Sequence, residues 1–423
     1  AGNHAQGVAL SASKLRIDAM IVMPTTTPSI KIESVKKFGV KVKLYGDSFD
    51  EAYEYALEVS NNEGRVFIHP FDDPLVIAGQ GTVAKEIVEQ SEEAPDIFFI
   101  PVGGGGLISG MSMYLKEHYP NIKVYGVESE DAPTLFTSLR NGKPTSLDQV
   151  GLFVDGCAVK RIGEETFRIS KKYVDDVILV SIDETCAAIK DIYEDTRVMS
   201  EPAGALSIAG MKKFIASNNV KNKKIMAVNS GANLNFDRLR HVTERAEIGE
   251  GKELLISVKI PEESGSFRTF CEVIGKRSIS EFNYRYANEK SANVFVGVKT
   301  DNIVNDTKCI FDDLKENKYN FIDLTQDEVA KLHLRYMVGG KPSSIINEKL
   351  FRFEFPEKPG ALLNFLNKMR EDWDITLFHY RNHGSAFGRV LVGINIGNHS
   401  KENLDEFLLD LDYKYTDETD NQG

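Results

Sequence analysis

Ile97-Phe98-Phe99-Ile100-Pro101-Val102-Gly103-Gly104-Gly105-Gly106-Leu107 decides how the first half of this chain folds. A short apolar run ends in four glycines and passes into a segment with apolar residues at helical spacing, which reads as strand, tight loop and helix. Free amides at a helix start, with no side chains to obstruct approach, fit a phosphate. The run lacks the Gly-x-Gly-x-x-Gly spacing of a dinucleotide site and the Gly-Lys-Ser/Thr of a P-loop, which weakens both nucleotide readings. Four glycines alone also fit a tight turn that holds nothing.

The same pattern extends to either side. Ala19 to Met23, Val40 to Leu44, Lys123 to Val127, Val177 to Val180 and Ile225 to Val228 read as further strands. Between them, Asp50 to Ser60, Leu75 to Gln90 and Glu184 to Thr196 carry apolar residues three and four apart. The alternation predicts a mostly parallel sheet sandwiched by helices, with ligands beyond the carboxyl ends of its strands. Two more small-residue loops fall at such places. Ala1-Gly2-Asn3-His4-Ala5-Gln6-Gly7 opens a helix, with Asn3 as a cap whose amide can also donate to a ligand oxygen. Val228-Asn229-Ser230-Gly231-Ala232-Asn233 follows a strand, and the Ser230 hydroxyl can bond a ligand without adding charge. Each has an ordinary alternative, an N-cap and a turn serine. Three such loops point to one bound cofactor, and a first residue inside a motif leads us to expect part of its site upstream.

Composition bounds the function. At 423 residues the chain exceeds one ordinary core, so two or three domains are expected. It is 42% hydrophobic and 27% charged, the balance of a soluble globular protein. A net charge of −12 without a dense basic stripe argues against nucleic acid as a partner. No apolar run approaches the roughly 18 to 20 residues of a membrane-spanning helix. Cys157, Cys186, Cys271 and Cys309 show no Cys-x-x-Cys spacing, which fits buried thiols in a reducing compartment.

A polar stretch from His241 to Lys252 marks a boundary, beyond which the chain repeats at a period of about 95 residues. Ile260 to Phe267 matches Phe355 to Leu362, Glu281 to Arg285 matches Leu377 to Arg381, and Val294 to Val298 matches Val390 to Ile394. Each unit reads strand, turn, helix, strand, strand, helix. We expect domains at 1–245, 246–338 and 346–418, and a solvated tail from Thr416 to Gly423.

Taken in order and spacing, Ala1 to Gly7, Pro101 to Leu107, Glu201-Pro202-Ala203-Gly204-Ala205 and Ser230 to Asn233 closely resemble the threonine dehydratases of pyridoxal-phosphate fold type II. The paired C-terminal units look like the ACT-like regulatory domains of the biosynthetic form. Asp237 to Arg240 and Leu377 to Gly384 are similar to its fungal branch in particular. The resemblance implies an α/β catalytic domain followed by two α+β regulatory domains, with pyridoxal phosphate as cofactor. It makes Gly103, Gly104, Gly105, Gly106 and Leu107 the phosphate cup, Asn3 the partner of the ring oxygen and Ser230 the residue facing the ring nitrogen. The substrate carboxylate would rest on the amides around Ala1, Gly2, Asn3 and His4. The implied reaction is dehydration and deamination of L-threonine to 2-oxobutyrate and ammonia, the first step of isoleucine synthesis.

In that family the Schiff-base lysine lies ahead of the Ala-Gly-Asn-His loop, so it is expected upstream of residue 1; Lys14 and Lys31 do not match its motif. As written, the chain is expected not to form that linkage itself. Glu128 and Ala132 match metal-site positions of the related serine racemases, but Thr134 stands where those have an aspartate, and no metal is expected. His379 and His383 have a helical metal-ligand spacing on a stretch that reads as strand and turn, without a third ligand. Glu201 either shapes the pocket or is an ordinary helix-start carboxylate. Tyr284, Arg285, Tyr380 and Arg381 occupy equivalent places in the repeats; an arginine there would pair with an effector carboxylate, the alternative being core tyrosines and surface ion pairs. The resemblance implies isoleucine as inhibitor, valine as opposing ligand, a homotetramer and a mitochondrial location. The rival readings are a serine-directed lyase of the same fold and a non-catalytic amino-acid sensor.

Overall fold

The computed structural model describes residues 2–261, 266–275, 277, 279–288, 291–334, 348–356, 364–365, 368–369, 373–381, 387–396 and 401–421. The chain forms two compact units, Ala1–Ala246 and Glu247–Gly423.

The first unit alternates helices and strands: α1 (Asn3–Leu15), β1 (Met20–Met23), α2 (Ser29–Lys36), β2 (Lys41–Leu44), α3 (Phe49–Glu63), α4 (Pro74–Gln90), β3 (Ile97–Pro101), α5 (Gly106–His118), β4 (Lys123–Ser129), α6 (Thr134–Asn141), α7 (Glu164–Tyr173), β5 (Asp176–Val180), α8 (Ile182–Thr196), α9 (Pro202–Asn218), β6 (Ile225–Ala227) and α10 (Arg238–Gly249). Local chemistry sets several starts. Ser48 with Glu51, and Ser181 with Glu184, form reciprocal capping boxes for α3 and α8. Asp73 caps α4, with Pro74 in the first turn where a missing N–H costs nothing.

The parallel strands lie in two sheets rather than one, β1-β2 and β5-β4-β3-β6. Composition explains the split: Lys41-Val42-Lys43-Leu44 is largely exposed and cannot sit inside a sheet covered on both faces, whereas every residue of β3 is buried. Successive β3 side chains feed two different cores. Phe98 and Ile100 pack with Ile108, Met111 and Leu115 of α5; Ile97 and Phe99 pack with Ala205, Leu206 and Ala209 of α9. Each such burial is worth about 1.5–3 kcal/mol, so β3 is the keel of the unit.

Strand order then locates a crevice. From β3 the chain proceeds outward to β4 and β5, and β6 returns to the other side of β3, in parallel register Ile97–Ile225 and Phe99–Ala227. Beyond the carboxyl ends of β3 and β6 the connections diverge, which is where open α/β sheets bind ligands. The loops led by Gly103 and by Ser230 emerge there.

The second unit contains two antiparallel sheets of the same order. The first is built from β7 (Glu253–Pro261), α11 (Ser266–Ile274), β8 (Ile279–Asn288), β9 (Ser291–Lys299), α12 (Ile303–Glu316) and β10 (Asn320–Asp323), with α13 (Glu328–Leu332) following; its order is β10-β7-β9-β8. The second has β11 (Glu348–Pro356), β12 (Asp374–Arg381), β13 (Phe387–Asn395), α14 (Lys401–Leu411) and β14 (Tyr415–Asp417), in the order β14-β11-β13-β12. Each sheet covers its own core, Leu254, Ile256, Val258 and Phe270 in one and Phe351, Phe353, Phe365 and Trp373 in the other.

The expected solvated tail is corrected here. Tyr415 to Asp417 pairs with β11, Glu418 N–H donates to the Leu350 carbonyl at 2.8 Å, and the Glu418 carboxylate meets Arg352 at 3.0 Å. The acidic end closes the same strand position that β10 fills in the first sheet, so its charge is matched by arginine rather than by water alone.

Candidate active site

The glycine loop is shaped for what it holds off as much as for what it admits. Gly105, at φ +90°, precedes α5 as its N-cap, a conformation favouring glycine, and α5 has no side-chain cap hydrogen bond. A Cβ on Gly103 would lie 3.0 Å from Cys157 Cα, and one on Gly106 3.2 Å from the Phe71 backbone. On Gly104 it would run into the Phe71 ring. The Gly104 carbonyl is turned toward α7, accepting from the Thr166 hydroxyl at 2.8 Å. An uncapped helix start without side chains fits a phosphate dianion, with the helix dipole adding to the amides.

Asn3 sits across the crevice. Gly2, at φ +101°, is the N-cap of α1, so Asn3 is the first helical residue and not the cap expected from sequence. A glycine cap frees the asparagine side chain for tertiary use. Its Nδ2 donates to Glu201 Oε1 at 2.7 Å, and its Oδ1 accepts from Asn233 Nδ2 at 3.0 Å. Glu201 is buried at the N-cap of α9, yet makes no side-chain cap hydrogen bond to that helix. Burial pushes its carboxyl up, while the Asn3 hydrogen bond pulls it down. Ser230 is exposed at the mouth, with its hydroxyl 3.4 Å from the Ala203 carbonyl. Ser200 Oγ donates to Asn229 Oδ1 at 2.8 Å, tying the β6 loop to the α9 start.

His4 is engaged elsewhere: Nε2 lies 3.0 Å from the Ile68 carbonyl, and burial lowers its pKa, so a neutral ring donates there through Nε2. Ala1 lies outside the described residues. Lys31 pairs with Asp155 at 2.5 Å, and Asp155 also meets Arg238 at 3.2 Å, an ion triad that the sequence did not disclose. Its members stand 124 and 83 residues apart, so no local spacing announces it.

The serine-racemase metal positions have another use. Glu128 accepts from the Leu135 and Phe136 amides at 2.7 and 2.9 Å and from the Thr134 hydroxyl at 3.3 Å, serving as a cap for α6. Among the described residues no group of three or more His, Cys, Asp or Glu converges as a metal site. His379 lies in β12 and His383 outside the described residues. The backbones of Tyr284 and Tyr380 occupy matching positions on edge strands, opposite Val294 and Val390, as Arg285 and Arg381 do opposite Asn293 and Arg389. Their side chains lie outside what is described.

Comparison with known proteins gives the family. Residues 1–231 match the model of pyridoxal-phosphate dependent enzymes, and residues 244–334 and 339–423 match that of the C-terminal regulatory domain of threonine dehydratase. L-threonine dehydratase biosynthetic IlvA of Escherichia coli (strain K12) is 50% identical over 421 residues, covering 100% of this chain and 82% of that protein. The chain belongs to the biosynthetic threonine dehydratases. Threonine dehydratase, mitochondrial, of Saccharomyces cerevisiae is 48% identical over 436 residues, 100% of this chain and 75% of its own. The processed form of threonine deaminase isoform 2 from Solanum lycopersicum superposes with a TM-score of 0.57 at 47% identity, over 58% of this chain and 71% of that one. For a member of this family, the uncapped α5 start and the side-chain-free loop before it fit the phosphate of its cofactor, pyridoxal phosphate.

Proposed function

We propose that this protein converts L-threonine to 2-oxobutyrate and ammonia with pyridoxal phosphate, as the entry to isoleucine synthesis. The observation that carries the reading is a crevice at the β3/β6 switch point in a chain whose residues 1–231 match pyridoxal-phosphate dependent enzymes and whose residues 244–334 and 339–423 match the regulatory domain of threonine dehydratase. When bound, pyridoxal phosphate supplies the electron sink that makes an amino-acid Cα proton labile and lets a β-hydroxyl leave. The protein's part is placement. Gly103 to Leu107 would hold the phosphate through backbone amides, and Asn3 would bond the ring oxygen. Ser230 would face the ring nitrogen with a neutral hydroxyl; without a carboxylate's charge to hold that nitrogen protonated, the ring would be a weaker electron sink, which suits elimination over transamination. The amides around Ala1, Gly2, Asn3 and His4 would hold the substrate carboxylate, a use that the free N–H groups at the start of α1 (Asn3–Leu15) support. Holding the carboxylate there would fix how the substrate's Cα is presented to the cofactor.

We assign residues 1–245 to catalysis, and 246–338 and 346–418 to regulation. The regulatory pair takes isoleucine as inhibitor and valine as its opponent, with Arg285 and Arg381 on the effector carboxylates and Tyr284 and Tyr380 beside the side chains. Inhibition requires isoleucine to favour a less active state by roughly 1–3 kcal/mol. The assembly is a homotetramer, and the fungal-like phrases support a mitochondrial location.

The test uses the complete natural protein. Turnover of threonine and of serine is compared by formation of 2-oxobutyrate and of pyruvate, with and without isoleucine, and borohydride fixes the cofactor so that the modified lysine can be mapped. Threonine preference, inhibition by isoleucine and a single modified lysine are expected. Isoleucine binding without any elimination would replace this reading with that of an amino-acid sensor.

A further inference from the structure

We propose that Glu201 and Asn233 are positioning residues that give the Asn3 amide its polarity, forcing its N–H rather than its carbonyl toward the cofactor. The inference rests on Asn3 as partner of the ring oxygen.

A side-chain amide has two nearly isosteric ends, and only its partners decide which end faces where. Asn3 is held at both. Asn233 Nδ2 donates to Asn3 Oδ1 at 3.0 Å, and Asn3 Nδ2 donates to Glu201 Oε1 at 2.7 Å. The three groups form a directed chain, Asn233 to Asn3 to Glu201. Two of them are amides and could run it either way. An ionised carboxylate only accepts, so Glu201 is the member that sets the direction. One hydrogen of the Asn3 NH2 is thereby spent, and the second remains to donate to a ligand.

Three independent features show that the arrangement is built. Glu201 opens α9, where a carboxylate would ordinarily cap its own helix; it makes no such bond, and its side chain is committed to a residue 198 positions away. Glu201 is 5% exposed, so the pairing cannot be exchanged freely for water. Gly231 leaves the space: a Cβ there would overlap Glu201 Oε1 and lie 3.6 Å from Asn3 Nδ2. The Glu201 amide donates to the Gly231 carbonyl at 3.1 Å, which fastens the carboxylate-bearing residue to the same loop that carries Asn233.

Replacing Glu201 by glutamine keeps the shape and an acceptor but lets the chain reverse. Replacing Asn233 by aspartate puts an acceptor-only group at the other end, in competition with Glu201 for the same N–H. Together, Glu201→Gln with Asn233→Asp favours the reversed chain. The measurements are the dissociation constant of pyridoxal phosphate itself, by fluorescence titration of the cofactor-stripped complete protein, and the visible absorbance of the bound cofactor, whose band reports the ionisation of the ring oxygen. Asn3→Ala is the reference and is expected to weaken binding about tenfold, the worth of one hydrogen bond of charged character. Glu201→Gln and Asn233→Asp should each weaken binding severalfold, and the double variant at least as much as Asn3→Ala, all three shifting the absorbance band in the direction Asn3→Ala shifts it. Asn233 is only partly buried, so its variant reads out the polarity even if Glu201→Gln folds poorly. If Asn3→Ala weakens binding while the single and double variants stay within twofold of wild type with an unshifted band, the positioning role is refuted and the Asn3 assignment survives. If Asn3→Ala itself changes nothing, the Asn3 assignment is refuted, and this inference with it.

Discussion

Replacing Gly110 by alanine tests whether the phosphate cup is held in place by helix packing. Gly110 lies in α5, one turn beyond the glycine loop, where α5 crosses α4 at backbone contact. A Cβ on Gly110 would overlap the Ile77 carbonyl and lie 2.6 Å from the Gly81 nitrogen, where ordinary contact begins at 3.4 Å. Both obstacles are helix backbone and cannot rotate aside. The Ile77 carbonyl is the nearer obstacle, so the helix must retreat by roughly 1 Å, a gap that forfeits about half of the dispersion well at each contact it opens. Overpacking of this kind costs up to about 3 kcal/mol, offset by about 1 kcal/mol that alanine gains over glycine inside a helix. The net, about 2 kcal/mol, lowers the melting temperature of a unit this size by about 4–8 °C. Because α5 begins at the cup, its amides move with it, and displacement approaching 1 Å costs up to about a hundredfold in rate. Gly81→Ala is the control: its Cβ would meet the Gly110 carbonyl at 3.1 Å, a tightness that a shift of a few tenths relieves, so its effect stays within about 1 kcal/mol. Thermal unfolding of the cofactor-free protein and titration with pyridoxal phosphate read the two effects separately. A Gly110→Ala variant as stable as wild type, or a Gly81→Ala variant worse than it, would refute the argument.

Three further perturbations follow from buried charge and exposure. Burial pushes Glu128 up to about 7, against the pull of the Leu135 and Phe136 amides, so its folded pKa is raised above the ordinary 4.5. Its contribution to stability is full below about pH 4.5 and is lost as pH rises through 7, by about 3 kcal/mol; Glu128→Gln should flatten urea-unfolding stability across that window and cost about 1–3 kcal/mol for an unmatched buried N–H. Burial raises Asp155, but Arg238 and Lys31 outweigh it and leave its pKa lowered. Its stabilisation is therefore present above the ordinary carboxylate range and lost on acidification, and Asp155→Ala should destabilise by about 3 kcal/mol at neutral pH with little effect under strongly acid conditions. Alkylation at mild alkaline pH should label exposed Cys309 and spare Cys157 and Cys186 until unfolding, since both are buried and burial, with Glu128, Glu201 and Asp155 nearby, raises the Cys157 thiol; prompt labelling of Cys157 would contradict its packing against Gly103.

What the sequence disclosed and what it hid divide along the range of the forces involved. Strands β3, β4 and β5 were legible because an apolar run stopped by glycine or a polar residue leaves few alternatives. The repeat was legible because two copies of one pattern confirm each other, and the structure returns the same sheet order twice. Partition of the strands between two sheets was not, since it depends on whether the second face of each strand finds a cover. Asn3 read as a cap because asparagine at a helix start usually is one; the left-handed Gly2 took that role and left the side chain for Glu201. The acidic terminus read as a tail because nothing local shows that Arg352, some 66 residues earlier, awaits Glu418.

Small residues in the site's motifs serve different ends, and only part of that service concerns the ligand. Gly105 is required by its backbone angle, whereas Gly103 is required by Cys157 lying against it. Gly204 would place a Cβ on the Gly231 carbonyl and within 2.8 Å of Asn229 Oδ1, so Glu-Pro-Ala-Gly-Ala is small in order to let the α9 start touch the β6 loop. That closeness brings Glu201 within reach of Asn3, a residue carried on a different sheet's helix. Motifs of this chain are thus joints between segments before they are ligand contacts. A substitution that spares every ligand-facing atom can still misalign the site by separating two backbones that glycine had allowed to meet.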